Sequence, residues 1–252
     1  MSVFSGPADW WTDGTDIGRT HIATKGIVQS GLVLNLDAGV STSYPGTGTT
    51  WTDLKGSGTA WTDLTGRGNT GTLTNGPTYS STNGGSLVFD GTNDYIQSGS
   101  FSSLLTADIT VETWIYLTAA SSDWVRIIGT GGNGGNRTFG LWYSNSSTLL
   151  WQRYGATDPS IQPPNVLATG TWHHVAATTS GSSHTVYLNA SSVGTATAAG
   201  PWTASGENIT IGFAGIHTYH NGRISNAKIY NRVLSATEIQ QNFTALRGRY
   251  GI

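Results

Sequence analysis

The chain of 252 residues contains no cysteine and a single methionine. Disulfides, thiolate nucleophiles and cysteine-ligated zinc are therefore excluded, and stability has to come from packing. Charge is scarce too: Asp, Glu, Lys and Arg make up 10% of the residues, and the formal net charge is −2. The 12 lysines and arginines form no cluster, which argues against nucleic acid and anionic membranes as partners, because both are recognised through concentrated positive charge. No run of about 18 apolar residues is present to span a bilayer, and residues 1–9 lack the basic and apolar regions of a secretory signal. The expectation is a soluble chain that is not exported by the usual route.

What fills the space left by charge is glycine, 35 residues of it, together with Thr, Ser and Asn, and 10 tryptophans. That mixture suits turn-rich β structure with an uncharged surface, and the length suits one large all-β domain. The clearest local signal is Gly85–Ile96. Leu87 and Phe89 point to one face and Val88 to the other, Asp90-Gly91 with Asn93-Asp94 makes a tight turn, and Tyr95 and Ile96 open the next strand. The carboxylates of this turn are read as turn architecture, with a metal or ligand loop as the alternative.

In chain order, residues 1–28 show no sustained alternation but carry Phe4, Trp10 and Trp11, which suits an arm that packs on its own domain or on a neighbour. Gly31–Gly39 is the first strand, with Leu32, Leu34 and Leu36 on one face. A direct repeat follows, Trp51–Gly58 and then Trp61–Gly68, and two copies are too few for a solenoid. Ile109–Leu117 alternates Ile109, Val111, Thr113, Ile115 and Leu117 against Thr110, Glu112, Trp114 and Tyr116, so both faces are largely apolar, as at the centre of a sandwich.

Segments 124–128, 139–143 and 149–154 read as an antiparallel meander, and 171–177, 184–189, 208–213 and 222–230 as four further strands. The glycine-rich stretch 129–135 is not followed by a helix pattern, which discounts a phosphate loop. Only the end is helical: Ser235 and Glu238 form a capping box, and Ile239, Phe243 and Leu246 recur on one side.

In order and spacing, Asp63–Asn69, Ser86–Gly91, Val111–Trp114, Trp172–Ala176, Val186–Asn189, Ile211-Gly212 and Gly222–Leu234 resemble the laminin G-like, concanavalin A-like jelly-roll family over roughly residues 31–246. The resemblance implies an all-β, two-sheet antiparallel jelly-roll sandwich with one short C-terminal helix, spanning 29–252 behind the arm 1–28. The Leu34–Gly39 opening, the Thr74–Tyr79 turn and the Leu246–Ile252 ending resemble versions found in tailed bacteriophage virion proteins. Two departures stand out: Asn189 is followed by Ala190 where the family often has glycine, and Ser225 and Asn226 stand where it often has acids.

The expected function is that of a non-enzymatic virion surface or structural protein, a capsid decoration or a tail or fibre component. It would be assembled in the host cytoplasm, bound to other virion proteins through its arm, homo-oligomeric in the particle, and able to bind host or environmental glycans. The alternative is a lectin or adhesin module of a bacterial surface protein. A glycoside hydrolase is a remote third: hydrolysis needs paired carboxylates, and Glu112, Glu207 and Glu238, the three glutamates, have no acid at an alternating strand position. No Gly-x-Ser-x-Gly elbow marks a nucleophile. His173 and His174 are adjacent in a strand, so at most one faces inward, and His217 and His220 frame a loop without a third ligand.

By the resemblance, calcium is the metal such a fold invites, with Asp63, Asn69, Asp90 and Asp94 as candidate ligands. Candidate sugar-stacking aromatics are Trp142, Tyr143, Trp151, Tyr154 and Tyr219.

Overall fold

The computed structural model describes residues 26–41, 43–44, 60–61, 70–99, 108–131, 137–144, 146–155, 159–164, 167–202, 206, 208–215 and 217–252. Most of the arm, the Trp51–Gly68 repeat apart from residues 60 and 61, and the candidates Asp63 and Asn69 lie outside them.

Two eight-stranded antiparallel sheets pack face to face. The first runs β14 (Ser191–Thr197), β13 (Ser183–Leu188), β12 (Trp172–Ser180), β7 (Ile109–Leu117), β16 (Asn221–Tyr230), β5 (Ser86–Asp90) and β4 (Thr78–Ser80), with β1 (Leu32–Asp37) also paired to β16. Its longest strand, β16, pairs β5 through Asn221–Ile224 and β1 through Asn226–Tyr230, so one strand bridges two partners end to end. The second sheet runs β11 (Ser160–Ile161), β10 (Leu149–Arg153), β9 (Phe139–Tyr143), β8 (Val125–Thr130), β15 (Ile209–Ile211), β6 (Tyr95–Gln97), β3 (Gly71–Thr74) and β2 (Ala60–Trp61). The expected all-β jelly-roll sandwich is the fold observed.

The core between the sheets comes from the inward parity of each strand: Val111, Ile115 and Leu117 of β7, Val175 and Ala177 of β12, and Ile224, Ala227 and Ile229 of β16 meet Ile127, Ile128, Phe139, Leu141, Leu149 and Ile211. The other parity of the first sheet is also buried, because α1 (Ala236–Tyr250) lies across it. Ser235 and Glu238 close the capping box that starts this helix. Ile239, Phe243, Leu246 and Tyr250 then pack on Trp114, Trp172 and Tyr230, with the Trp114 ring stacked 4.0 Å from Tyr250 and 5.5 Å from Phe243. Ile27 and Val28, within the segment read as an arm, are buried in this same layer.

Polar groups are trapped beneath the helix. Glu112 has no exposed surface and accepts both of its hydrogen bonds from Asn242 Nδ2, at 3.1 and 3.0 Å. Lys228 Nζ lies 3.4 Å from one Glu112 oxygen, and His174 Nε2 lies 3.5 Å from the other. Asn242 also accepts from the Val28 amide at 2.7 Å, so helix, sheet and the chain entering the domain share one network. At the helix end, Arg249 grips buried Asp37 with both terminal nitrogens at 2.8 to 3.0 Å.

The two family departures lie in this layer and at its edge. Ser225 Oγ donates to the Gly85 carbonyl at 2.6 Å and accepts from Tyr250 and Arg249, while Asn226 links Lys228 to Tyr250, so both serve the helix contact. Asn189 and Ala190 form the two-residue β13–β14 turn with φ of 49° and 66°, so a residue with a Cβ occupies a position glycine would favour.

Candidate functional site

With α1 sealing the first sheet, the outer face of the second is the one that carries no helix or further sheet among the described residues. Its registers align one row of outward positions across seven strands: Thr72 opposite Gln97, Gln97 opposite Thr210, Thr210 opposite Gly129, Gly129 opposite Gly140, Gly140 opposite Gln152, and Gln152 opposite Ser160. The row holds amides, hydroxyls and glycines, so it forms a trough lined with hydrogen-bonding groups. Three pockets of about 330, 220 and 310 Å³ lie along it, at Thr72 and Gln97, at Thr210 and Phe213, and at Trp142 and Gln152.

Aromatic side chains flank the trough. Phe213 stacks on Tyr219 with ring centroids 3.9 Å apart, and Tyr95 meets Phe213 at 5.7 Å; all three are half-buried. At the far end Trp142 forms a pocket floor with Leu150, below Trp124, Arg137, Gln152 and His217. Gly140 makes this possible: a Cβ there would sit 2.1 Å from the Trp142 indole nitrogen. Arg126, the cross-strand partner of Trp142, lies 4.6 Å from that ring, and Arg137 lies 5.6 Å from it. Arg137 donates to the Tyr154 hydroxyl at 3.0 Å, and that hydroxyl donates to Gln152 at 2.6 Å. His217 Nδ1 lies 3.0 Å from the Asp123 carboxylate, which this bond holds below the usual range.

The aromatics named from the sequence divide between the two faces. Trp142 and Tyr154 come together around Arg137, and Tyr219 belongs to the stack on Phe213. Tyr143 and Trp151 have to be corrected: both point into the inter-sheet core, at 1% and 0% exposure, where no sugar ring reaches them. The Tyr143 hydroxyl lies 3.1 Å from His220 Nδ1, and burial pushes that histidine down to about 4, so His220 is a neutral core residue. Trp142 is itself 2% exposed.

Asp90 accepts from the amides of Thr92 and Asn93 and Asp94 from the amide of Asp90, the self-contained turn that the residue types suggest. Two carboxylates spent on turn amides do not supply the six to eight oxygens calcium takes, and no group of three metal-ligating side chains occurs among the described residues. The trough residues Gln97, Thr210 and Gln152, with Arg126, Arg137, Trp124 and Phe213, escaped sequence reasoning because each is a single outward position on a separate strand.

The fold and face define a jelly-roll sandwich with one sheet sealed by α1 and one open, trough-bearing sheet. The family model for the concanavalin A-like lectin/glucanases superfamily matches residues 90–240, and the chain belongs to that family. A search of curated proteins finds no match. Among solved structures, a Trypanosoma rangeli sialidase in complex with sialic acid superposes with a TM-score of 0.63 at 18% identity, over 88% of this chain and 36% of the sialidase. The chain thus spans about a third of the sialidase's length. Domain 4 of AbnA, a GH43 extracellular arabinanase from Geobacillus stearothermophilus, in complex with arabinotriose, superposes with a TM-score of 0.65 at 14% identity, over 85% of this chain and 99% of the domain. The receptor binding domain of botulinum neurotoxin type G gives a TM-score of 0.61 at 14% identity, over 85% and 51% of the two chains. At these identities the likeness is one of fold.

Proposed function

We propose that this chain is a non-enzymatic carbohydrate-recognition module displayed on the surface of a bacteriophage virion, with its second sheet outward and its N-terminal segment attached to neighbouring virion proteins. The observation that carries the binding role is the seven-strand row of amides, hydroxyls and glycines, flanked by aromatics on the sheet face that α1 leaves open. Sugars present hydroxyls in the ring plane and C–H groups on the ring face, and amide rows beside aromatic rings match both. The complex of the AbnA domain with arabinotriose supports the same reading.

The non-enzymatic part rests on carboxylates. Hydrolysis of a glycosidic bond takes two of them facing the bond about 5 to 10 Å apart. Glu112 is buried beneath α1 on the opposite sheet, Glu238 caps the helix, Glu207 lies outside the described residues, and no acid is among the described residues that line the three trough pockets. The virion placement rests on the aromatic segment before residue 26 and on the likeness of the chain's opening and ending to virion proteins.

A glycan array carrying bacterial envelope polysaccharides tests the binding role. Binding that is lost in F213A and Y219A, with unfolding temperatures near wild type, is the expected result; absence of binding to every glycan removes the role. Deleting residues 1–25, which spares buried Ile27 and Val28, should abolish incorporation into particles, and normal incorporation would refute the anchoring role.

A further inference from the structure

The polar cluster beneath α1 brings an amine, an amide and a carboxylate to one point. Lys228 Nζ and Asn242 Nδ2 lie 3.4 and 3.1 Å from the same Glu112 oxygen, Oε1, and Nδ2 lies 3.0 Å from Oε2. None of the three side chains, which come from β16, α1 and β7, has exposed surface. The Val28 amide donates to Asn242 Oδ1 at 2.7 Å, which fixes the carbonyl end of that amide on the backbone N–H and the nitrogen end on the carboxylate. His174, beside the other oxygen of Glu112, packs its ring on Trp114 and Phe243, so the cluster sits within the aromatic layer between helix and sheet.

These groups are the parts of an acyl transfer. The amine is a nucleophile, and the amide carbon is an electrophile whose oxygen already meets an N–H able to hold developing negative charge. The carboxylate touches both the amine and the nitrogen that has to leave, the position a proton carrier needs. Burial pushes Lys228 below the ordinary lysine range, towards the neutral amine that attacks. Moving its proton to Glu112 turns an ion pair into two neutral groups, and a reaction that happens once per chain needs only a small population of that state.

We propose that Lys228 and Asn242 join through an isopeptide bond, with Glu112 as the catalytic proton carrier. Nζ passes one proton to Glu112 and, as its bond to Asn242 Cγ forms, a second to Nδ2. The Cγ–Nδ2 bond breaks, and ammonia leaves with the proton that Glu112 holds. One lysine ammonium and one primary amide thereby become one secondary amide and one ammonium ion, with no oxidant or co-reactant. Asn226 is the competing electrophile, since its oxygen accepts from Lys228 Nζ at 3.0 Å. Its nitrogen, however, donates to Tyr250 rather than to the carboxylate, which leaves that amide without a proton source at the leaving atom. The ion pair described above is the state before closure. Closure ties β16 to α1 covalently in a chain that has no cysteine for a disulfide.

Intact-mass spectrometry of the full chain tests this, on protein taken fresh and after prolonged incubation and denatured just before measurement. The mass should fall short of the sequence mass by one ammonia, and trypsin should release a branched peptide joining residues 224–232 to 233–247 through Lys228 and Asn242. Chain kept in urea throughout should retain the full mass. So should K228R, which keeps a cation beside Glu112 but has no primary amine, and E112Q should close about a hundredfold or more slowly.

Folded wild type that keeps its full mass after incubation overturns the proposal. So does an ammonia loss that maps elsewhere, to Asn226 within peptide 224–232 or to a ring closed at an exposed Asn-Gly step such as Asn75-Gly76. Equal loss in urea, or closure of E112Q at the wild-type rate, overturns the role given to the buried carboxylate.

Discussion

Replacing Glu112 with glutamine measures how much the buried charges contribute to holding the helix on the sandwich. Burial alone pushes this carboxyl up, but Lys228, His174 and Asn242 outweigh it and hold the group at about 2. A glutamate in the unfolded chain titrates near 4.3, and the gap of roughly two units corresponds to about 3 kcal/mol at neutral pH. Since the folded value lies below the unfolded one, this stability is complete above about pH 5 and is lost as pH falls through 4 towards 2.

Denaturant unfolding at pH 7 and pH 3 of the wild type, E112Q and the E112Q/K228M double variant separates the contributions. E112Q should be less stable by about 3 kcal/mol at pH 7, because it leaves the Lys228 ammonium buried without its counter-charge. At pH 3 the deficit should roughly halve, since the wild type has begun to lose the same contribution. Glu238 and Asp90, also held low by their hydrogen bonds, titrate in both proteins and cancel in the difference. The double variant should recover most of the loss, as an apolar side chain replaces the orphaned cation. A deficit below about 1 kcal/mol at pH 7, or one that does not change with pH, refutes the reasoning.

Three further outcomes follow from local geometry. A190G should stabilise by about 0.5 kcal/mol in denaturant unfolding: a left-handed residue with a Cβ costs about 1 to 2 kcal/mol, and the added freedom of glycine in the unfolded chain takes back about 0.4 to 1. S235A should cost about 1 kcal/mol by removing the oxygen that caps the Glu238 amide, with fraying visible as faster amide exchange in the first turn of α1. G140A should cost about 1 to 3 kcal/mol by driving the Trp142 indole off its seat, with a shift in tryptophan emission and weaker binding at the arginine-flanked pocket.

Much of the fold was legible because strand parity is a local property. Ile109–Leu117 alternates in the sequence as it does in the structure, and the capping box at Ser235 and Glu238 marks the helix start at the residue where it begins. The strands that went unread are weakly patterned. Ser191–Thr197 is an edge strand of small and polar residues, largely exposed on both parities, so no alternation marks it. Ser160–Ile161 and Thr78–Ser80 are too short for a period to show. Helical periodicity puts Asn242 on the buried side of α1 with Ile239 and Leu246, but its partners there, Glu112, Tyr230 and the Val28 amide, are 12 to 214 residues away in sequence and leave no local sign.

The candidate site was harder to read for a reason that its own strand shows. In Leu149–Arg153 both parities are nearly all buried, so the sequence alone cannot say whether Trp151 or Leu150 with Gln152 faces outward. The choice is made elsewhere: Trp151 joins the inter-sheet core with Phe139, which sends Gln152 to the outer face opposite Gly140 and Ser160. The make-up of an open face on such a sandwich is therefore a property of the registers rather than of any segment. Each strand contributes one outward amide, hydroxyl or glycine to the trough, and only the pairing of seven strands puts them in line. The same logic explains why charge in the sequence was a poor guide. Arg126 and Arg137 stand eleven residues apart in a chain with no basic cluster, yet the β8–β9 pairing brings both guanidiniums to one indole. Two isolated arginines can thus be brought to one indole in a protein of net charge −2.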